Sequence, residues 1–239
     1  AVLMRSVGLV TRRRSNVADA PPGGLTRVSG WGRTNPSVAM VRHVTDAELA
    51  GVIAASGDRG GIARGLGRSY GDASQNAGGV VLVLDDDPSR VVLDPVAGTA
   101  TAPAGVSLDA LMRILVPRGW FVPVTPGTRF VTVGGAIASD IHGKNHHLDG
   151  SFGSHVVRMS VVMADGARAE LDPGMPLFWA TVGGMGLTGV IVDATIRLLP
   201  IETSRVSVDT SRIPDLDTLM AAMTEGDDRV RYSVAWIDL

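Results

Sequence analysis

The chain contains no cysteine. That excludes disulfides, thiolate metal sites, iron–sulfur clusters and thiol nucleophiles within it. Lysine is almost absent: the 22 basic residues include one, Lys144, and the 24 acidic residues include only four glutamates. This skew reads as GC-rich codon usage, and it leaves the position of Lys144 to decide whether that residue matters. There is no basic excess, since the formal charge is −2. A dedicated nucleic-acid binder would carry one, so no nucleic-acid partner is expected. Long apolar runs are missing as well. The longest near the middle, Val80 to Leu84, falls far short of the ~20 residues a membrane span needs. No secretory signal is visible, because Arg12, Arg13 and Arg14 follow the weakly apolar start instead of preceding it. Residues 1–24 end in Pro-Pro-Gly-Gly and read as a disordered, solvated arm. The alternative is a weak peripheral contact of its arginines with an anionic membrane surface.

What is present suffices for a core. The chain has 239 residues, of which 45% are apolar, and a mean hydropathy of +0.21. One large domain or two small ones would fit this length. The 30 glycines show no collagen period, so they belong where backbone turns sharply or approaches a ligand. The spacing predicts strands over Val38–Val44, Gly61–Arg64, Val80–Leu84, Arg90–Leu93, Thr99–Ala102, Trp120–Val122, His155–Ala164, Ala167–Leu171 and Val190–Leu199. Helices are expected from a capping box at Thr45 to about Ala55, over Leu108–Val116 capped by Ser107, over Val131–Ser139 and over Pro176–Val182. Beyond residue 200 the composition changes. A strand near Val206, a helix near Leu216–Met223 and a strand near Tyr232–Ile237 are expected there, as the start of a second unit that reads as truncated. Strands, hairpins and helices interleave without βαβ alternation, which favours an α+β fold.

Four stretches could carry chemistry. The first is Ala63-Arg64-Gly65-Leu66-Gly67-Arg68-Ser69-Tyr70-Gly71-Asp72-Ala73. Closely spaced glycines let successive amides point into one concavity suited to a pyrophosphate. The spacing is not that of a Rossmann turn, and no Gly-Lys-Ser/Thr follows as in a P-loop. The second runs from Pro126 through Gly127 to Thr132-Val133-Gly134-Gly135-Ala136. It would set helix-start amides against a flat or anionic ligand, or simply allow close helix–sheet packing. The third, Ser139-Asp140-Ile141-His142-Gly143-Lys144-Asn145-His146-His147, gathers three histidines, an aspartate and the only lysine. It could hold a metal, although the spacing is not His-Glu-x-x-His. It could serve acid–base or electrostatic chemistry beside a cofactor, or be a polar surface loop. The fourth, Gly183-Gly-Met-Gly-Leu-Thr-Gly189, again allows close approach of backbone, to a ligand or to a neighbouring element.

Taken together and in this order, these stretches resemble the FAD domain of the vanillyl-alcohol-oxidase type (PCMH-type) flavoenzymes. Within that superfamily they are most similar to the flavin subunits of the polyprenylphosphoryl-ribose 2′-epimerases. The resemblance runs from about Leu25 to Leu239 and includes Trp31-Gly-Arg33 and Ser233-Val-Ala-Trp236. It implies a two-lobed FAD-binding domain over residues 25–200 and the beginning of a substrate domain over 201–239. It implies that Ala63 to Ala73 wraps the FAD pyrophosphate. Gly127, Thr132 to Gly135, Ser139 to His142 and Ile191 would line the flavin and its chain, with Tyr70 near the ring. His142, Gly143 and Lys144 would face the substrate, opposite Trp236.

The implied reaction transfers hydride from the ribose 2′-carbinol to FAD. An NAD(P)H-dependent keto-reductase partner then completes epimerisation to the arabinose donor of cell-wall arabinan. The implied location is the cell envelope, on its periplasmic side, with the cytoplasmic face as the alternative. The sequence departs from the family at two points. Arg68 stands where many relatives tether FAD through histidine, so non-covalent FAD is expected, and Ser139 stands where similar members carry cysteine. Two alternatives remain: a sugar-lactone or alditol oxidase of the same superfamily, and a non-catalytic flavin-binding module.

Overall fold

The computed structural model describes residues 24–237. Two sheets form. In the first, β1 (Gly24–Val28) pairs antiparallel with β2 (Ser37–Val44), and β2 and β3 (Gly61–Ala63) both run parallel to β4 (Val80–Leu84) between them. Helix α1 (Asp46–Ala54) makes the crossover that parallel pairing requires. The Glu48 carboxylate accepts from the amide and hydroxyl of Thr45 and so fixes the start of this helix.

The second sheet is antiparallel, in the order β5 (Val92–Asp94), β6 (Thr99–Pro103), β10 (Val190–Arg197), β8 (Val156–Val162) and β9 (Arg168–Leu171). Its inner face meets α2 (Leu108–Leu115), α3 (Val133–Ala138) and α5 (Pro176–Thr181) in the main core. Leu108, Leu111 and Leu115 recur at helical spacing on one side of α2 and are all fully buried there with Phe152 and Phe178. A smaller pair, β7 (Trp120–Phe121) with β11 (Leu199–Pro200), closes one end. The two sheets share a seam in which Leu49 of α1 and Leu82 of β4 pack against Val162 and Val190. Arg168 adds a fork of hydrogen bonds to Asp46 across it. The α+β architecture and its two lobes are as the sequence implied.

Several elements differ from expectation. Gly24 belongs to β1, not to an arm; the remainder of the expected arm, residues 1–23, lies outside the described residues. Residues 88–90 form a helical turn capped by Asp87, so the strand expected from Arg90 starts at Val92. A short helix, α4 (His146–Asp149), stands where no regular element was expected. Among the described residues beyond 200, only α6 (Leu216–Gly226) forms a helix, and the strands expected near Val206 and over Tyr232–Ile237 are absent. A strand needs a neighbour to take its amides, and none of the described residues offers one there.

Candidate functional site

The glycine loop after β3 is built from below. Arg64 is 7% exposed, and its guanidinium reaches the carbonyls of Ser29 (2.6 Å) and Ser74 (3.2 Å) and the Ser74 hydroxyl (3.0 Å). Its Nε is buried without a partner. Burial lowers the pKa of this guanidinium, yet an arginine stays charged in proteins. A positive charge therefore lies beneath the loop with no carboxylate paired to it among the described residues. Gly67 has φ +63°, and a Cβ there would stand 2.3 Å from Arg64 Nη2. A Cβ on Gly65 would stand 2.4 Å from Thr132 Oγ1. The glycines thus let the loop close onto Arg64 on one side and onto the start of α3 on the other.

From above, residues 29–33 form a strap. The amides of Trp31 and Gly32 donate to the carbonyls of Ser69 (2.7 Å) and Tyr70 (3.2 Å). A Cβ on Gly30 would collide with the Gly71 carbonyl at 2.0 Å. Arg68 lies 4.7 Å over the Trp31 ring and donates to the Phe130 carbonyl. The Ser69 and Tyr70 carbonyls are therefore engaged by the strap and that of Asp72 by the Gln75 amide, while the amides of residues 65–73 donate to no acceptor among the described residues. A run of amides left free of protein acceptors, half-buried to exposed, over a buried cation fits a multiply charged anion such as a diphosphate.

The second stretch behaves differently. Thr132 caps α3 by accepting from the Gly135 amide (3.1 Å), and the amides of Val133 and Gly134 donate to Val106 and Ala104 carbonyls. These helix-start amides are spent on protein. Gly134 is needed for packing, since its Cβ would stand 2.9 Å from that of Ala104. Of the two readings of this stretch, close packing is the one realised here. Gly127 has open space around it.

The remaining stretches gather at the other end of α3, which by its six residues lies about 9 Å away along the helix. Asp140 adopts a positive φ of 40°, and its carboxylate accepts from the Gly153 amide (2.8 Å). The Gly183–Gly189 loop closes on the same point: the amides of Gly183 and Met185 donate to the carbonyls of Ile137 and Ala138, and Ser139 meets the Met185 sulfur. That loop also reaches back toward β3, where a Cβ on Gly186 would touch Ile62. Among the described residues, the three non-glycine residues with positive φ, Arg33, Asp140 and Met185, all lie in these converging segments. Such strain persists only where the surroundings enforce it.

Gly143 packs on the Pro123–Thr128 loop so closely that a Cβ would stand 2.5 Å from the Thr125 carbonyl. Asn145, fully buried, donates to the Pro123 carbonyl (2.8 Å) and to Asp149 (2.6 Å). His142 and Lys144 are exposed, with the His142 ring 5.3 Å from that of His146. No group of three or more metal-ligating residues occurs among the described residues. Tyr70 is 78% exposed on the glycine loop. Ile191 is set apart from these surfaces, buried on β10 beside Val161. Trp236 is exposed but lies on a segment whose Ser233 amide donates to the Lys144 carbonyl. Two concavities of about 320 and 480 Å³ lie elsewhere, on the charged face of the second sheet and beside Gly119.

Sequence reasoning missed the strap's role, the burial of Asn145 and the Arg231–Asp149 pair. Gly30-Trp-Gly32 carried a glycine signal that could have found the strap. Nothing in the sequence pairs residues 82 positions apart.

Residues 37–172 match the FAD binding domain family. The chain is 48% identical over 225 residues to decaprenylphosphoryl-beta-D-ribose oxidase of Mycolicibacterium smegmatis, covering 91% of this chain and 49% of that protein. It is 47% identical over 134 residues to an uncharacterized protein of Streptomyces coelicolor (56% of this chain, 36% of that one). It is 34% identical over 165 residues to an uncharacterized oxidoreductase of Rhodococcoides fascians (68% and 37%). The chain spans less than half the length of each of these relatives. With the family match extending over more than half of its residues, this chain belongs to the FAD binding domain family.

Proposed function

We propose that this chain is the FAD-binding part of an oxidase that takes the 2′-hydroxyl of a polyprenylphosphoryl ribose to the 2′-ketone. The observation that carries the cofactor part is the row of unengaged amides over residues 65–73 above the buried charge of Arg64. The substrate part rests on the 48% identity to the mycobacterial oxidase. Residues 25–200 would form the FAD domain and 201–239 the beginning of a substrate domain.

Ala63 to Ala73 would hold the FAD diphosphate. Gly127, Thr132 to Gly135 and Ser139 to His142 would border its chain and ring, with Ile191 acting from behind through the core. Gly134 and Gly135 would contribute through close packing, because their amides are already used. When bound, FAD supplies a hydride acceptor. The protein's own part is to orient the carbinol and manage charge. Lys144, exposed on its loop, would neutralise the substrate phosphate or the developing alkoxide. His142 would shuttle the hydroxyl proton, and Tyr70 would flank the ring. Gly143 and Trp236 would frame the sugar. Arg68 is engaged with Trp31 and Phe130 and offers no imidazole for a tether, so FAD would bind non-covalently.

A keto-reductase using NAD(P)H would consume the ketone, completing an epimerisation that feeds cell-wall arabinan. No helix among the described residues is long and apolar enough to cross a membrane. Work on a lipid-linked substrate would lie at the cell envelope, by peripheral contact, and the family resemblance favours its periplasmic side.

The test is spectroscopic and then kinetic. The purified chain should absorb near ~450 nm as oxidised flavin does, and acid precipitation should release all of the chromophore. Farnesylphosphoryl ribose should then drive reduction of dichlorophenolindophenol. Reduction by a free sugar lactone or alditol instead would assign the alternative substrate class. Bound flavin with no dye reduction by any of them would make this a non-catalytic module.

A further inference from the structure

From residue 201 to residue 237 no side chain is buried, and α6 contributes none to a core. Packing therefore does not decide where this segment lies. Hydrogen bonds do. At its start the Ile201 amide donates to the Gly119 carbonyl. Near its end three ties converge on the loop of Lys144. Arg231 forms a two-pronged pair with Asp149, Nε to Oδ2 at 2.8 Å and Nη2 to Oδ1 at 2.6 Å. The Ser233 amide donates to the Lys144 carbonyl at 3.0 Å. A ring nitrogen of His147 meets the Val230 carbonyl at 3.1 Å.

The pair is anchored to the body of the protein. Asp149 also accepts from the buried Asn145, which in turn donates to the Pro123 carbonyl. The Asp149 side chain is only 13% exposed, and it is held below the usual carboxylate range chiefly by the hydrogen bond from Arg231. A guanidinium fork on a half-sheltered carboxylate fixes orientation as well as distance.

We infer that Arg231 and Asp149 form a positioning clip that sets the spacing between Lys144 and the segment carrying Trp236, and so the fit of the substrate's phosphopentose between them. The clip touches neither FAD nor the reacting carbon; it acts through the two groups it holds apart. This role rests on the proposed assignment of Lys144 and Trp236 to the substrate, while the clip's geometry stands independently of it. The expected occupant is a phosphorylated sugar, with the cationic Lys144 on one side and an indole face on the other.

Three variants of the flavin-loaded protein test this: Arg231→Gln, Arg231→Lys and Asp149→Asn. In Arg231→Gln and Asp149→Asn, amide hydrogen exchange over residues 230–236 should speed up about tenfold or more, with protection in β8 and β10 unchanged. With farnesylphosphoryl ribose as probe, KM should rise about tenfold in both, while kcat stays within about twofold and flavin content is unchanged. Arg231→Lys, which keeps the charge but loses the fork, should fall between them and the wild type. Unchanged exchange in both neutral variants overturns the clip. Faster exchange with unchanged KM leaves the clip as structure and overturns its positioning role. A wild type that turns over none of this probe overturns the proposed substrate and the role that rests on it, and the exchange data distinguish that failure from a failure of the clip.

Discussion

Two glycine-rich stretches meet beside α3, and the same compositional signal has opposite outcomes in them. In residues 65–73 the glycines fold the backbone so that the Ser69 and Tyr70 carbonyls accept from the strap of residues 29–33, and its amides are left without acceptors among the described residues. In residues 132–136 they let a helix press against β6, and its first amides are consumed by Ala104, Val106 and Thr132. The first stretch has the buried charge of Arg64 beneath it; the second has an apolar core. Glycine spacing says only that backbone comes close to something. Whether that something is a ligand or another element depends on where the amides point and on the charge below them.

Substitutions can separate the two. The largest effect is expected from Gly65→Val, whose branched side chain would force the loop off Thr132. FAD affinity should fall about 100-fold, equivalent to ~2.7 kcal/mol, as read by flavin fluorescence titration. Next comes Arg64→Met. It removes the charge beneath the loop and leaves the Ser29 and Ser74 carbonyls short of a donor. FAD affinity should drop about tenfold, and the flavin-free protein should lose about 1–3 kcal/mol in denaturant unfolding. Gly134→Ala should show the reverse pattern. Its contact with Ala104 should cost about 1 kcal/mol of stability after the helix-propensity gain, with FAD affinity changed less than about threefold. A loss of affinity comparable to that of Gly65→Val would erase the distinction. The smallest effect concerns pH. A seat made of amides and an arginine has nothing that titrates near neutrality, so FAD affinity should be flat from about pH 5 to 8. A slope there would show that the amide and arginine seat is not the main source of the affinity.

Much of the fold was legible because its signals are local. Val80–Leu84 is a continuous β-branched and leucine run and becomes the central parallel strand. Ser107 precedes a clean apolar stripe and caps α2. Asp165-Gly166 marks the turn between β8 and β9. The misses are non-local. β1 follows a Pro-Pro-Gly-Gly run and exists because β2 offers it an edge. The apolar residues near Val206 and Trp236 carry a strand pattern but find no partner strand among the described residues. For the site, the sequence showed which stretches could approach a ligand, and the structure brings four of them together along α3. It did not show that the amides of Val133 and Gly134 are spent, because their acceptors, the Val106 and Ala104 carbonyls, lie in the loop after β6, about 30 residues earlier. Nor did it show that Arg64 points inward while Arg68 stacks on Trp31; both are arginines in the same loop.

The most direct test of the central claim is site-resolved amide hydrogen exchange with and without FAD. The amides of residues 65–73 should exchange rapidly in the flavin-free chain and slow markedly when FAD is added, while those of residues 133–136 stay protected in both states. No slowing over residues 65–73, or slowing confined to residues 133–136, would contradict the account.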